Sequence, residues 1–154
     1  MIRELITHDA PALARLLAAQ RPEYLAHFRP FDLDEATIAG VLSAARRDRF
    51  WALVESGELV GFFMLRGFDA GYQRPSYGVF VAESVAGRGL GRASLEFALE
   101  WCAANGVERV LLKVAKENIR ARRIYIAAGF EFVETCPTTG QEMLEKQMTL
   151  TVSL

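Results

Sequence analysis

The stretch Val85–Gly106, VAGRGLGRASLEFALEWCAANG, sets Gly87, Arg88, Gly89, Gly91 and Arg92 directly before a long, mostly apolar run. At 100° per residue, Leu90, Phe97, Ala98 and Trp101 fall on one side, and Leu95, Leu99 and Cys102 continue that surface. Only Arg92, Glu96 and Glu100 form a polar stripe, so the pattern predicts a largely buried helix to about Asn105, stopped by Gly106. The start of such a helix presents unpaired N–H groups and a partial positive charge. Glycines allow positive φ and let an anion come close to that backbone. Gly87, Arg88, Gly89, Leu90, Gly91, Arg92 and Ala93 therefore read as a pyrophosphate cradle, with the two arginines adding charge. The stretch lacks the Lys-Ser/Thr of a nucleotide-triphosphate loop, and its glycine spacing is not GxGxxG. Taken alone, it leaves open a glycine-rich turn with no ligand.

The flanking sequence supplies the rest of a mixed α/β chain. IRELIT alternates as a strand, and Asp9 is placed to cap a helix to about Gln20 with Leu13, Leu16 and Leu17 on one face. RPEYLAHFRPFD reads as an irregular loop, and Asp34 as the cap of a second helix to about Arg47. RFWALVE and LVGFFMLRGF form a hairpin around SGE. PSYGVFVAE is a further strand, whose Gly78 signals a bulge or close backbone approach. ERVLLKVA, a helix from Asn118 to before Gly129, and a hairpin of FEFVETC with EMLEKQMTLTV complete the order βααβββαβαββ. That is about seven strands and four helices, in a mixed sheet covered on both faces.

With 154 residues, 51% hydrophobic and 24% charged, the chain reads as one globular domain, 1–154. A net charge of −1 argues against nucleic acid as a partner. No stretch is long enough to span a bilayer, and MIRELITHDA has no apolar leader core, so a cytoplasmic protein without a membrane partner is expected. Cys102 and Cys136 lie far apart and read as reduced thiols without activating neighbours; His8 and His27 do not suggest a metal site.

On the helix that begins at Asn118, Asn118, Ala121, Tyr125 and Ala128 lie within about 80° of one another. One face thus carries an amide, a phenol and two small residues; an ordinary cap and a half-buried core tyrosine would look the same. The glycine motif from Val81 to Ala93, followed by N-x-x-A-x-x-x-Y-x-x-x-G-F from Asn118 to Phe130, resembles the GNAT superfamily of acetyl-CoA-dependent N-acetyltransferases. The element order matches that fold from Ile2 to about Val152. One departure is Ala86, where the family's loop usually opens with Gln or Arg.

The resemblance implies a GNAT-like acyl-CoA N-acyltransferase fold, with acetyl-CoA as cosubstrate, no metal, and direct attack of a primary amine on the thioester. It implies that backbone near Phe80 and Val81 pairs with the pantetheine arm and polarises the acyl carbonyl. It further implies that Gly87–Ala93 hold the pyrophosphate, that Asn118 and Ala121 border the cofactor, and that Tyr125 is the general acid. Lys113 stands where some members carry a glutamate base. Glu83 is the nearest acid to the cofactor strand and a candidate base, Tyr77, Glu23 and His27 are other candidates, and a water chain could carry the proton instead. The acceptor side falls on the loop after the first helix, where Tyr24, Phe28 and Phe31, with Tyr77, form an expected aromatic pocket for a small-molecule or peptide amine. The same aromatics could instead pin the loop to the core. A longer acyl chain, a non-catalytic acyl-CoA sensor and a homodimer stay open at this level.

Overall fold

A computed structural model describes residues 1–149. Seven strands form one sheet in the order β1-β2-β3-β4-β5-β7-β6. The strands are β1 (Ile2–Glu4), β2 (Arg49–Glu55), β3 (Glu58–Arg66), β4 (Ser76–Val81), β5 (Arg109–Val114), β6 (Glu131–Thr135) and β7 (Glu142–Gln147). Four helices intervene: α1 (Ala10–Ala18), α2 (Glu35–Ala44), α3 (Leu90–Ala104) and α4 (Ile119–Ala127). The element order is the one read from the sequence. The expectation that the last strand reaches Val152 lies in part outside the described residues; within them β7 ends at Gln147.

Period-2 alternation divides the sheet into two apolar faces. Trp51, Phe63, Leu65 and Tyr77 join Val110, Leu112 and Val114 under α3, and Ala121, Ile124 and Tyr125 of α4, with its C-cap Ala128, pack on the same cluster. Phe50, Ala52, Phe62, Met64 and Phe80 face the other way, against Leu13 and Leu17 of α1 and Ile38 of α2. The long helix α3 buries Leu95, Ala98 and Cys102, and Gly106 ends it at φ 72°. Side-chain burial of this kind stabilises by about 1.5–3 kcal/mol per large apolar residue.

Three local expectations change. Asp9 does not cap α1 with its side chain. Its carboxylate accepts from the Ile6 N–H at 2.8 Å and from both Nη atoms of Arg3 at 2.9 Å, fastening the preceding 3₁₀ turn to β1. Asp34 does cap α2, accepting from the Thr37 N–H at 2.9 Å, but α2 ends at Ala44 instead of Arg47. Gly78 carries no bulge, because the β3–β4 register runs through Met64↔Gly78 unbroken. A Cβ there would stand 3.2 Å from the Met64 Cε, so the glycine serves close packing.

Candidate active site

Strands β4 and β5 lie side by side in parallel, yet only Ser76↔Leu111 pairs them. Beyond that point they diverge. The Ala82 N–H donates to the Val60 carbonyl at 2.8 Å, which fixes the antiparallel ladder with β3. Alternation then points the backbone groups of Gly78, Phe80 and Ala82 at β3, and those of Val79 and Val81 into the opening beside β5. The Phe80 carbonyl is the atom a Cβ on Gly61 would strike, consistent with this orientation. The polarising N–H expected of Phe80 is therefore engaged in the ladder. Val79 and Val81 have the free edge, a distinction that register alone decides.

At the open end of this cleft the chain turns through Glu83–Val85 into the glycine loop. Gly87 has φ 85° and Gly89 has φ 84°, conformations that cost a residue with a Cβ. No side chain caps α3, so the N–H groups of its first turn stay available for an anion. Gly87, Arg88 and Gly89 are exposed. Arg88 leans toward Glu55 at 3.2 Å. From the opposite wall, the Arg120 guanidinium lies 3.6 Å from where a Cβ on Gly87 would stand, bringing a third arginine to the loop. Sequence reasoning missed Arg120, because only the packing of α4 beside the loop brings it there.

Helix α4 forms the other side. Asn118 caps it, its Oδ1 accepting from the Ala121 N–H at 3.2 Å. Tyr125 faces the α3 side of the sheet, edge-on to Tyr77 at 6.4 Å and to Phe130 at 6.0 Å between ring centroids. Part of Tyr125 stays open, but enough of the phenol is enclosed that burial pushes it up to about 12. Tyr77 is 4% exposed, and its hydroxyl is buried without a hydrogen-bond partner.

The aromatic residues expected at the acceptor pocket fall on two faces. Tyr24, Phe28 and Phe31 lie on the α1–α2 side, whereas Tyr77 lies under α4. Phe28 packs edge-on to Phe62 at 5.6 Å and tilted against Phe80 at 5.8 Å between ring centroids, so it pins the loop to the core. Arg66 stands 5.1 Å over the Phe31 ring. Tyr24 reaches furthest toward the cleft: its hydroxyl donates to the Val81 carbonyl at 2.5 Å. Burial raises its phenol, and the Glu83 charge adds to that. Glu83 itself is gripped by Arg21, with hydrogen bonds of 2.8 and 2.5 Å to its two oxygens. That pairing lowers its carboxyl below the usual range. The Glu83 N–H donates to Gln20 Oε1 at 3.1 Å. Gln20, Arg21 and Tyr24 together latch the loop after α1 onto the end of β4.

Cys102 is fully buried in the apolar cluster, and burial pushes its thiol up to about 12. Cys136 departs from expectation. Thr138 stands 3.3 Å from its sulfur, and hydrogen bonds from Thr138 and Thr139 bring its thiol down to about 6. Cys136 directly follows Thr135 of β6, which pairs with Glu142 of β7 opposite Val114 at the end of β5. Among the described residues no group of three or more metal-ligating side chains forms, and no helix is long and apolar enough to cross a membrane.

Comparison with known proteins places these features in context. Residues 11–130 match the acetyltransferase (GNAT) family. A mycothiol acetyltransferase of Beutenbergia cavernae is 48% identical over 54 residues, which are 35% of this chain and 18% of that protein. The chain spans only 18–26% of the length of the curated relatives it matches. Two solved structures share the fold along nearly the whole length. One is yncA, a putative acetyltransferase of Salmonella typhimurium with its cofactor acetyl-CoA, at a TM-score of 0.79 and 17% identity over 100% of this chain and 96% of that one. The other is the ribosomal-protein-S18-alanine N-acetyltransferase of Escherichia coli, at a TM-score of 0.75 and 22% identity over 99% and 96%.

Proposed function

The chain belongs to the GNAT acetyltransferase family, and from that premise we propose that its 154 residues form one domain moving an acetyl group from acetyl-CoA to a primary amine. The observation that carries this reading is the single β4–β5 bridge, which opens a backbone edge leading to an uncapped helix start. The amides of Gly87–Ala93, with Arg88, Arg92 and Arg120, hold the pyrophosphate; each charge-assisted hydrogen bond there is worth roughly 1.5–3 kcal/mol. The N–H of Val81 and the groups of Val79 pair with the pantetheine arm as an added strand would. The Val81 carbonyl already accepts from Tyr24, which puts the acceptor loop against the same edge. Asn118 borders the arm with the amide group left over from its capping role, and Ala121 leaves room for it.

Tyr125 gives its proton to the departing thiolate as the amine attacks. No covalent enzyme intermediate is needed, and neither cysteine takes part. A phenol near 12 facing a thiol of ordinary pKa ~8.5 makes that transfer uphill by roughly three orders of magnitude, so the phenolate must be met by a donor or promptly reprotonated. Glu83, with both oxygens on Arg21 and its basicity lowered, is better suited to holding the acceptor loop than to taking a proton. Solvent then receives the amine proton. The short match to mycothiol acetyltransferases makes des-acetyl mycothiol one acceptor to try among polyamines, aminoglycosides, amino acids and peptide N-termini. Calorimetry with CoA, followed by thiol release from acetyl-CoA across that amine panel, tests the reading. CoA binding without turnover on any amine would turn it toward an acyl-CoA sensor, and absence of CoA binding would refute it.

A further inference from the structure

Tyr77 is the buried polar group that the mechanism leaves unused. It stands on β4 one residue past the Ser76↔Leu111 bridge, where the strands begin to part. Its ring packs among Phe63 and Tyr125 inside an otherwise apolar cluster, and its hydroxyl has no partner. Phenylalanine would fill that space without an orphaned donor, and buried hydroxyls are as a rule hydrogen-bonded. The nearest phenol is that of Tyr125, whose ring lies edge-on at 6.4 Å.

We propose that Tyr77 is a positioning residue for Tyr125, its hydroxyl donating a hydrogen bond to the Tyr125 oxygen when acyl-CoA is bound. This deepens the acetyltransferase reading and rests on it for its catalytic consequence. In the step itself the amine nitrogen bonds to the acetyl carbon and the carbon–sulfur bond breaks. The sulfur keeps the electron pair and takes the Tyr125 proton, and Tyr125 is left as a phenolate. Tyr77 keeps its own proton and offers it as a hydrogen bond to that oxygen; the amine's proton passes through solvent and restores Tyr125. The order of ionisation is right for this role. Burial holds Tyr77 well above its ordinary value, and the charge on Tyr125 raises it further, so Tyr77 remains the donor while Tyr125 carries the charge. No hydrogen bond joins the two oxygens in this structure, and catalytic hydrogen bonds often tighten only in the substrate complex.

Tyr77→Phe removes one hydroxyl and keeps the ring, so neighbouring ring currents stay. The chain has four tyrosines, few enough to resolve singly by [13C]ζ-tyrosine NMR of the CoA-bound protein. The expected result is reciprocal: Tyr77→Phe shifts the Cζ signal of Tyr125, Tyr125→Phe shifts that of Tyr77, and Tyr72 does not move. Single-turnover acetyl transfer should slow about tenfold in Tyr77→Phe, CoA affinity should hold within about threefold, and the slowing should vanish in a Tyr125→Phe background. Absence of the reciprocal shift in folded variants overturns the proposal, and so does equal slowing in both backgrounds. If no amine is acetylated by the wild-type protein, the acetyltransferase reading falls, and the NMR arm alone decides whether the two phenols pair.

Discussion

Gly89 offers a test that separates backbone strain from ligand charge. It is the residue before α3, it sits at φ 84°, and its carbonyl accepts from the Ala93 N–H at 3.0 Å. A Cβ built there meets nothing within 4 Å. Gly89→Ala therefore adds no clash, only the left-handed penalty of about 1–2 kcal/mol. For a chain of this size that lowers the melting temperature by roughly 2–8 °C. Gly89→Asp carries a similar strain, with somewhat less penalty because Asp tolerates this region, and adds a negative charge where the pyrophosphate is proposed to sit. Two like charges about 4 Å apart repel by ~1 kcal/mol in water and ~4 kcal/mol near a protein surface. Binding of CoA should then fall from about fivefold to several hundredfold in the Asp variant. The Ala variant should stay within about threefold of wild type. Calorimetric titration of the three folded proteins gives the comparison, and the Ala–Asp difference should shrink at 1 M salt, where screening acts over about 3 Å. Equal CoA affinity in the Ala and Asp variants would refute the placement of the pyrophosphate on this loop.

Three further outcomes are expected. Tyr125→Phe should lower the single-turnover rate of acetyl transfer by about 10²–10⁴-fold and change CoA affinity by less than about threefold; a rate equal to wild type would remove the phenol from the reaction. Cys102→Ala with Cys136→Ser should leave turnover intact while costing stability at Cys102, about 1 kcal/mol for the lost sulfur in a filled core, and an acetyl-cysteine trapped on the wild-type protein by mass spectrometry would contradict this. Asp9→Ala should destabilise by about 1–2 kcal/mol at pH 7 in urea unfolding. Because pairing with Arg3 lowers the Asp9 carboxyl in the folded state, that contribution is present above the ordinary value of ~3.9 and fades as acid protonates the folded carboxylate. Wild type and variant should therefore converge toward pH 2, and a gap that persists there would show that the loss is packing and not charge.

Much of this protein is written in short-range pattern. The glycine spacing before α3, the apolar stripe from Leu90 to Cys102 and the cap at Asn118 each depend on residues within a few turns of one another, and each stands where the sequence put it. The same holds for the face shared by Ala121 and Tyr125, because helical period alone determines it. What local pattern could not determine was which side of the sheet a strand residue faces, and which of its backbone groups the neighbouring strand consumes. Phe80 and Val81 are adjacent in sequence, yet the pairing of Ala82 with Val60 commits the backbone of the first to β3 and frees that of the second. Tyr77 and Tyr24 look alike as aromatic residues near one cleft, but alternation puts the first under α4, while the loop after α1 brings the second to the Val81 carbonyl. Arg120 at the glycine loop and Arg21 on Glu83 join residues 33 and 62 positions apart, Gly87 to Arg120 and Arg21 to Glu83. Contacts at such separations exist only once the sheet register and the helix packing are fixed. Local pattern carries the elements and the glycine-rich helix start; which groups face the cleft follows from register and packing, which are properties of pairs of distant segments.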